Sequence, residues 1–464
     1  MNLETKGSNA IVIKVCIIAA LAGLLFGLDI AYVNGALDFI VKEFHLSIAQ
    51  SEQVAGILLT GAAIGAIISG WLSRRFGRKN VLILASFIFF AFTFVCIASH
   101  TFTFLLVTRF IIGLAVGIAS FVAPLYLSEI APYKIRGGLI AMYQLMITIG
   151  IFVMFLSNAA LESTGSWRLM MVVIAIPAAI MFIGALTLPK SPRWLVLVGR
   201  IDDAEKVLKK VRNTDKEIKF ELSEIKESVN TKTSGWKMLS KPFFVKILIL
   251  GILLQALQQF SGMNAFMYYS GQVFQAAGFS NPAVATVVIG LVNVLTTLLA
   301  IKYVDRIGRK PILYIGMALL VISCAIVGFI FKMNPPGSVM TGAEQWLTLI
   351  FSLVFIFGFA VSLGPIIWIL CSEIFPLAGR DFGITVTTTT NWVCNAILGS
   401  FALTWFHNLG VGGTFWMFGA CIVVGFFIIG FFTPETKDVP LEELEMNLKE
   451  GMKLRKIGTR RTAE

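Results

Sequence analysis

Runs of apolar residues long enough to cross a bilayer recur along the whole chain, separated by short polar or charged connections. A bilayer core takes about 20 mostly apolar residues per helix, because each backbone amide must be bonded within the segment once water is excluded. Twelve such stretches stand near residues 12–37, 54–73, 80–99, 103–125, 139–158, 168–188, 244–270, 283–301, 311–331, 346–371, 383–406 and 413–433. The pattern predicts an all-α membrane protein with twelve transmembrane helices. The first stretch follows Lys6 and Lys14 as a signal peptide would, yet it lacks a short apolar core with a small-residue cleavage site, and Asp29 interrupts it. It is read as a span of the mature chain.

The connection after the sixth stretch has a different rhythm. "DDAEKVLKKVR" opens on an Asp cap and places Val207, Leu208 and Val211 on one face, and Ile218, Leu222, Ile225 and Val229 repeat at helical spacing. These predict a short cytoplasmic helical subdomain, the alternative being a flexible charged linker. In the tail, Asp438 and Pro440 mark the cap and first turn of another helix.

Composition narrows the class. Of 464 residues, 57% are hydrophobic and 14% charged, with a mean hydropathy of +0.84, more apolar side chain than a soluble core can bury. A water-soluble enzyme is excluded, and no catalytic residues are assigned. Six cysteines lie singly, without CxxC or His/Cys metal spacing, so neither a disulfide framework nor a metal site is expected. No GxxxxGK[ST] is present, so bound ATP is not expected as energy source, nor any other cofactor.

The net charge of +12 would suggest a nucleic-acid partner in a soluble protein. Counted from a cytoplasmic N-terminus, however, the basic residues fall almost entirely on one side. Arg74, Arg75, Arg78 and Lys79 follow the second stretch, Lys134 and Arg136 the fourth, Lys302, Arg306, Arg309 and Lys310 the eighth, and Arg380 the tenth. The opposite side holds only Lys42, Arg168 and Lys332. Both termini are therefore expected in the cytoplasm, and the excess charge reports orientation, with no nucleic acid implied.

Two loop pairs repeat in the same order half a chain apart. "GWLSRRFGRKN" (Gly70 to Asn80) matches "KYVDRIGRKP" (Lys302 to Pro311), and "SEIAPYKIRGG" (Ser128 to Gly138) matches "SEIFPLAGRDFG" (Ser372 to Gly383). Such duplication predicts two six-helix bundles in parallel orientation. The expected domains are bundles over 1–188 and 244–433, joined by linker helices over 189–243 and followed by a tail over 434–464.

Ionisable residues inside spans cost about 2.5–3.5 kcal/mol each on insertion scales. Asp29 is the one acid placed deep in a stretch, and Arg109 the one base. Protonating the aspartate removes its pairing with arginine yet keeps a hydrogen-bonding carboxyl, as a proton-coupling site requires. A static salt bridge is the alternative. His45, His100 and His407 all fall at ends of stretches. In the seventh stretch Gln255, Gln258, Gln259 and Asn264 cluster around Gly262, ahead of Tyr268 and Tyr269. Gln144, Asn293, Trp368, Asn391, Trp392 and Asn395 extend the set. Amides donate and accept, as hydroxyls do, and aromatic faces pack on sugar C–H groups, so the set suits a neutral polyhydroxylated ring. The same amides also serve as ordinary interhelical glue.

With "LPKSPRWL" (Leu188 to Leu195), "QQFSGMN" (Gln258 to Asn264) and "PETK" (Pro434 to Lys437), the repeated loops closely resemble the sugar porter family of the major facilitator superfamily over nearly the whole chain. Within it the chain is most similar to bacterial proton-linked hexose symporters. The resemblance implies substrate contacts at Gln144, Gln258, Gln259, Asn264, Asn293, Trp368, Asn391 and Trp392, and proton coupling at Asp29 with Arg109. It implies a cytoplasmic gate at Arg78, Glu129, Arg136, Arg193, Arg309, Glu373 and Arg380. Arg74 and Lys190 depart from the family pattern, which usually carries acids there. The expected activity is symport of a neutral monosaccharide and a proton across the inner membrane by a monomer embedded in the lipid bilayer. A facilitative uniporter, a pentose or inositol symporter, a drug exporter and a non-transporting sugar receptor are the alternatives.

Overall fold

The computed structural model describes residues 6–131, 136–212, 214–230, 235–335, 338, 340–376, 379–437, 439 and 441–459; within these, side chains are described except at 6–10, 136–141, 227–230, 235, 304–306 and 441–442. Asp438, Pro440, Lys134, and the side chains of Arg136, Val229 and Arg306 lie outside the described residues. Among the described residues the secondary structure is helical. The first helices are α1 (Lys6–Phe44), α2 (Ile48–Phe76), α3 (Arg78–Ile97), α4 (Phe102–Ile130), α5 (Arg136–Leu161) and α6 (Trp167–Leu186). Short helices follow: α7 (Pro192–Leu197), α8 (Ile201–Val211), α9 (Asp215–Asn230) and α10 (Gly235–Met238). The remainder are α11 (Pro242–Phe260), α12 (Met263–Ala276), α13 (Pro282–Ile307), α14 (Arg309–Met333), α15 (Gly342–Val361), α16 (Leu363–Glu373), α17 (Arg380–Asn408), α18 (Gly410–Phe431) and α19 (Leu441–Lys449).

Eleven segments among the described residues are long and apolar enough to cross a membrane. The eleventh predicted stretch corresponds to α17, whose 29 residues are diluted by the polar run Thr387–Asn391 and fall outside that set. Two stretches expected to be continuous are each a pair of helices. The seventh breaks between α11 and α12 at Gly262, whose φ of 87° is a left-handed conformation that glycine adopts without strain. The tenth breaks between α15 and α16 at Ser362, φ −122° and ψ −91°, and its hydroxyl donates to the Gly358 carbonyl.

The chain divides into two compact units. The first comprises residues 1–29, 57–154 and 166–232. Its α2 and α4 approach at backbone distance: a Cβ added at Gly113 would lie 2.0 Å from the Leu58 carbonyl oxygen, and one at Gly117 2.0 Å from that of Ala62. Small residues let apolar helices gain packing where no hydrophobic drive exists between helix and lipid. Rings of Phe87 and Phe90 on α3 meet Phe182 on α6.

The predicted linker helices form a small packed body in the same unit. Trp194, Leu195, Val196 and Ala204 make its core, with Val207, Leu222 and Ile225 against them. Ser191 caps α7 and Pro192 stands in its first turn. The expected Asp cap of α8 is corrected: Asp202 and Asp203 lie inside the first turn, and Asp203 accepts from Arg200 instead. Arg212 then pairs with Glu221 at 2.6 Å and donates to the Ile130 carbonyl, tying the α8–α9 connection to the end of α4.

The second unit comprises residues 30–56, 155–165 and 233–464. Here α14 packs on α15 and α18, and α11 on α17. Phe266, Phe355 and Phe415 meet edge to face in its core. The segments of α1 and α5 belonging to this unit join where Asn158 Nδ2 donates to the Ala31 carbonyl.

Candidate functional site

In the first unit, α1 and α4 bring Asp29 and Arg109 together. Oδ1 of Asp29 stands 3.8 Å from Nη1 of Arg109, with side chains 3% and 0% exposed. That separation keeps electrostatic attraction while exceeding hydrogen-bond length, and Oδ1 accepts no hydrogen bond among the described residues. Gln144 is half-buried on α5.

In the second unit, Asn391 of α17 is the hub of a buried amide cluster. Its Nδ2 donates to Oε1 of Gln255 and of Gln258, each at 2.6 Å, and its Oδ1 accepts from Gln259 Nε2 at 3.0 Å. Asn264 donates to Gln259 Oε1 at 2.8 Å. Gln258 also donates to the carbonyls of Leu363 and Gly364, just past the α15–α16 break. Gln255, Gln258 and Gln259 fall on adjoining faces of α11, which is why one asparagine reaches all three. Below the α11–α12 break, Tyr268 donates to Asn395 and Tyr269 to the Gly399 carbonyl. Trp392 and Asn293 are buried, while Trp368 is 37% exposed. Asn264, half-buried, is the member of the cluster nearest to solvent.

The repeated loops fold alike in the two units. Gly77 and Gly308 both take positive φ, 85° and 103°, and each precedes an arginine that starts a helix. Arg78 pairs with Glu129 at 2.7 Å in the first unit, and Arg309 with Glu373 at 2.9 Å in the second. The other oxygen of each glutamate accepts a hydroxyl, from Ser191 and from Thr436 respectively. Ser191 and Thr436 were not among the sequence candidates. The matching order Pro-Lys-Ser (189–191) and Pro-Glu-Thr (434–436) is the signal that identifies them.

One difference separates the two copies. Glu435 accepts from the amides of Arg309 and Lys310 and so caps α14. The matching position in the first unit is Lys190, whose Nζ lies 5.7 Å from the Trp194 ring centre and, as an ammonium, cannot accept from the amides that start α3. Of the remaining gate candidates, Arg193 is exposed, and Arg380 donates to the Phe375 carbonyl.

Asp29 is not the only buried acid: Glu129 is 7% exposed and Glu52 4%. Glu52 lies just ahead of the predicted second stretch, 54–73, but α2 begins at Ile48 and carries it into the packed segment.

An all-helical multi-pass chain with broken helices, a buried ion pair and a buried amide cluster has the organisation of a secondary transporter. It belongs to the sugar (and other) transporter family, whose profile matches residues 15–448. The galactose-proton symporter of Escherichia coli strain K12 is 47% identical over 98% of each chain. The arabinose-proton symporter of the same strain is 44% identical over 96% of this chain and 95% of that one. Among solved structures, the inward-open xylose transporter XylE from E. coli superposes with a TM-score of 0.80 at 29% identity, covering 94% of this chain and 99% of that one. A second XylE structure, bound to 6-bromo-6-deoxy-D-glucose, gives a TM-score of 0.79 at 29% identity over 95% and 99%. The fold is that of the major facilitator superfamily, and the protein is a multi-pass membrane protein.

Proposed function

We propose that this protein carries a neutral monosaccharide together with a proton across the cell inner membrane by alternating access, working as a monomer with both termini in the cytoplasm. Support comes above all from the Asp29–Arg109 pair, an acid and a base sealed from solvent within one unit. The relatives that are proton symporters for galactose and arabinose favour the same activity.

The two six-helix halves, 1–188 and 244–433, are the bodies that rock, joined by 189–243 and followed by the 434–464 tail. Sugar hydroxyls bond Gln144, Gln258, Gln259, Asn264, Asn293 and Asn391, and Trp368 and Trp392 offer faces to the ring. The amides of the cluster are bonded to one another and to neighbouring groups, so they are ordered before sugar arrives and little ordering cost is left to binding. A proton from outside neutralises Asp29 and releases its hold on Arg109, which favours sugar binding. Arg78–Glu129 within one half and Arg309–Glu373 within the other, with Arg136, Arg193 and Arg380, brace the cytoplasmic gate that opens as the halves rock. Each charge moved inward gains about 2.3 kcal/mol per 100 mV.

Uptake by proteoliposomes of a panel of labelled hexoses and pentoses, with and without a pH gradient, tests this function. Saturable uptake that concentrates one sugar only when the gradient is imposed is expected. Uptake that never exceeds equilibration would leave facilitated uniport in its place.

A further inference from the structure

Glu52 plays no part in the cycle just described, yet it is buried and, unlike Asp29, has both carboxylate oxygens bonded. It lies on the segment of α2 within the second unit, and both its oxygens reach one residue of α17. Oε1 accepts from the Thr404 backbone amide at 2.6 Å and Oε2 from the Thr404 hydroxyl at 2.8 Å. One turn along α2, a Cβ added at Gly56 would lie 2.1 Å from the Ser400 hydroxyl oxygen. Residues four apart on a helix share a face, so residues 52 and 56 pair with 404 and 400 in reversed order. The two helices therefore run antiparallel through a two-turn contact. Glycine supplies close approach at one rung, and a carboxylate clasps the other.

Charge-assisted bonds of this kind are about twice as strong as neutral ones, and two of them to a single residue fix its position along the helix. Further bonds join α1 to α12 in the same unit: Asn34 Nδ2 donates to Ser270 Oγ at 2.9 Å and to the Met267 carbonyl at 3.2 Å. Asn391, the hub of the amide cluster, stands 13 residues before Thr404 on the same helix, about 20 Å at the helical rise. Whatever holds α17 at Thr404 also bears on the wall that carries the hub.

We propose that Glu52 is a positioning residue of the transport cycle: its carboxylate latches α2 to α17 while the outer face is closed, and it must release Thr404 before that face opens. The latch rests on the alternating-access cycle proposed above. Glu52→Gln keeps size and shape but removes the charge, so that the Thr404 amide meets a neutral carbonyl oxygen and the Thr404 hydroxyl can only accept from the new amide group. Gly56→Ala obstructs the same contact without touching the carboxylate. Thr404→Val removes the hydroxyl bond and keeps the amide bond.

Hydrogen–deuterium exchange on the full chain in lipid nanodiscs, without sugar, reads the latch independently of transport. Glu52→Gln and Gly56→Ala are expected to speed exchange about tenfold at residues 48–56 and 397–408, and Thr404→Val by less. Exchange at the first turns of α3 and α14 should slow as the opposite face closes. In proteoliposomes the external half-saturation concentration should fall along with the maximal rate. Wild-type exchange at residues 48–56 in Glu52→Gln, or faster exchange at both faces together with lower thermal stability, would overturn the latch and leave a structural tether. Opening at residues 48–56 without slower exchange at α3 and α14 would uphold the latch and contradict the alternating-access cycle on which it rests.

Discussion

Asp29 and Arg109 stand 3.8 Å apart with almost no exposed surface, attracted across a gap that no direct hydrogen bond closes. An ion pair of this length is held by its surroundings as much as by its partners. Neutralising the acid therefore changes the balance of forces on α1 and α4 without removing a short bond. Asp29→Asn keeps size and polarity and removes the titration. The substitution is expected to abolish uphill accumulation and preserve counterflow, the exchange of labelled for unlabelled sugar across proteoliposomes. Accumulation equal to wild type would remove Asp29 from coupling.

The amide cluster separates two roles. Asn391 has three hydrogen bonds to its neighbours, so Asn391→Ala leaves buried amides unpaired and should lower both thermal stability and sugar affinity. Asn264 has one amide bond to the cluster and is half-buried. Asn264→Ala should weaken sugar binding by about 1–3 kcal/mol with little change in melting temperature. Calorimetry on purified protein checks both, and unchanged affinity with reduced stability would mark the amides as interhelical glue.

Lys190 stands where Glu435 caps α14 and, as a cation, cannot accept from the amides that start α3. Lys190→Glu restores an acceptor beside the positive end of the helix. A gain of about 0.5–2 kcal/mol is expected, visible as a higher melting temperature in detergent, and no gain would mean that the two copies differ in more than this residue.

Glycine contacts in the first unit give a paired test of packing. A Cβ at Gly117 would meet the Ala62 carbonyl oxygen at 2.0 Å, while one at Gly70 meets nothing within 4 Å. Gly117→Ala should cost about 1–3 kcal/mol through backbone displacement. Gly70→Ala, inside α2, should stabilise by about 0.5–1 kcal/mol through helix propensity. Thermal unfolding of the two variants side by side checks the opposite signs.

Most of the fold was legible because hydropathy is a local property: apolar runs of span length are visible without knowing what they touch. α17 shows where that property thins, since Thr387–Asn391 trades apolar surface for hydrogen-bonding groups. The helix breaks were less legible. Gly262 stood out among polar neighbours, but Ser362 lies in an apolar run and its break depends on φ and ψ rather than composition. In the site, the α11 amides announced themselves by spacing on one helix. The meeting of Asn391 with them spans more than 130 positions of sequence and needed the folded chain. Glu52 was not legible, because Ser51, Glu52 and Gln53 form a polar run that hydropathy leaves outside the second stretch. Its bonds to Thr404 make that polarity compatible with burial.

Coupling is tested most directly by proton movement itself. When the transported sugar is added to an unbuffered suspension of proteoliposomes with no initial pH difference, proton entry with the sugar should make the medium transiently alkaline. Asp29→Asn proteoliposomes should carry out counterflow with no such signal. Sugar uptake by the wild-type protein without a pH change, measured with the membrane potential clamped, would contradict symport.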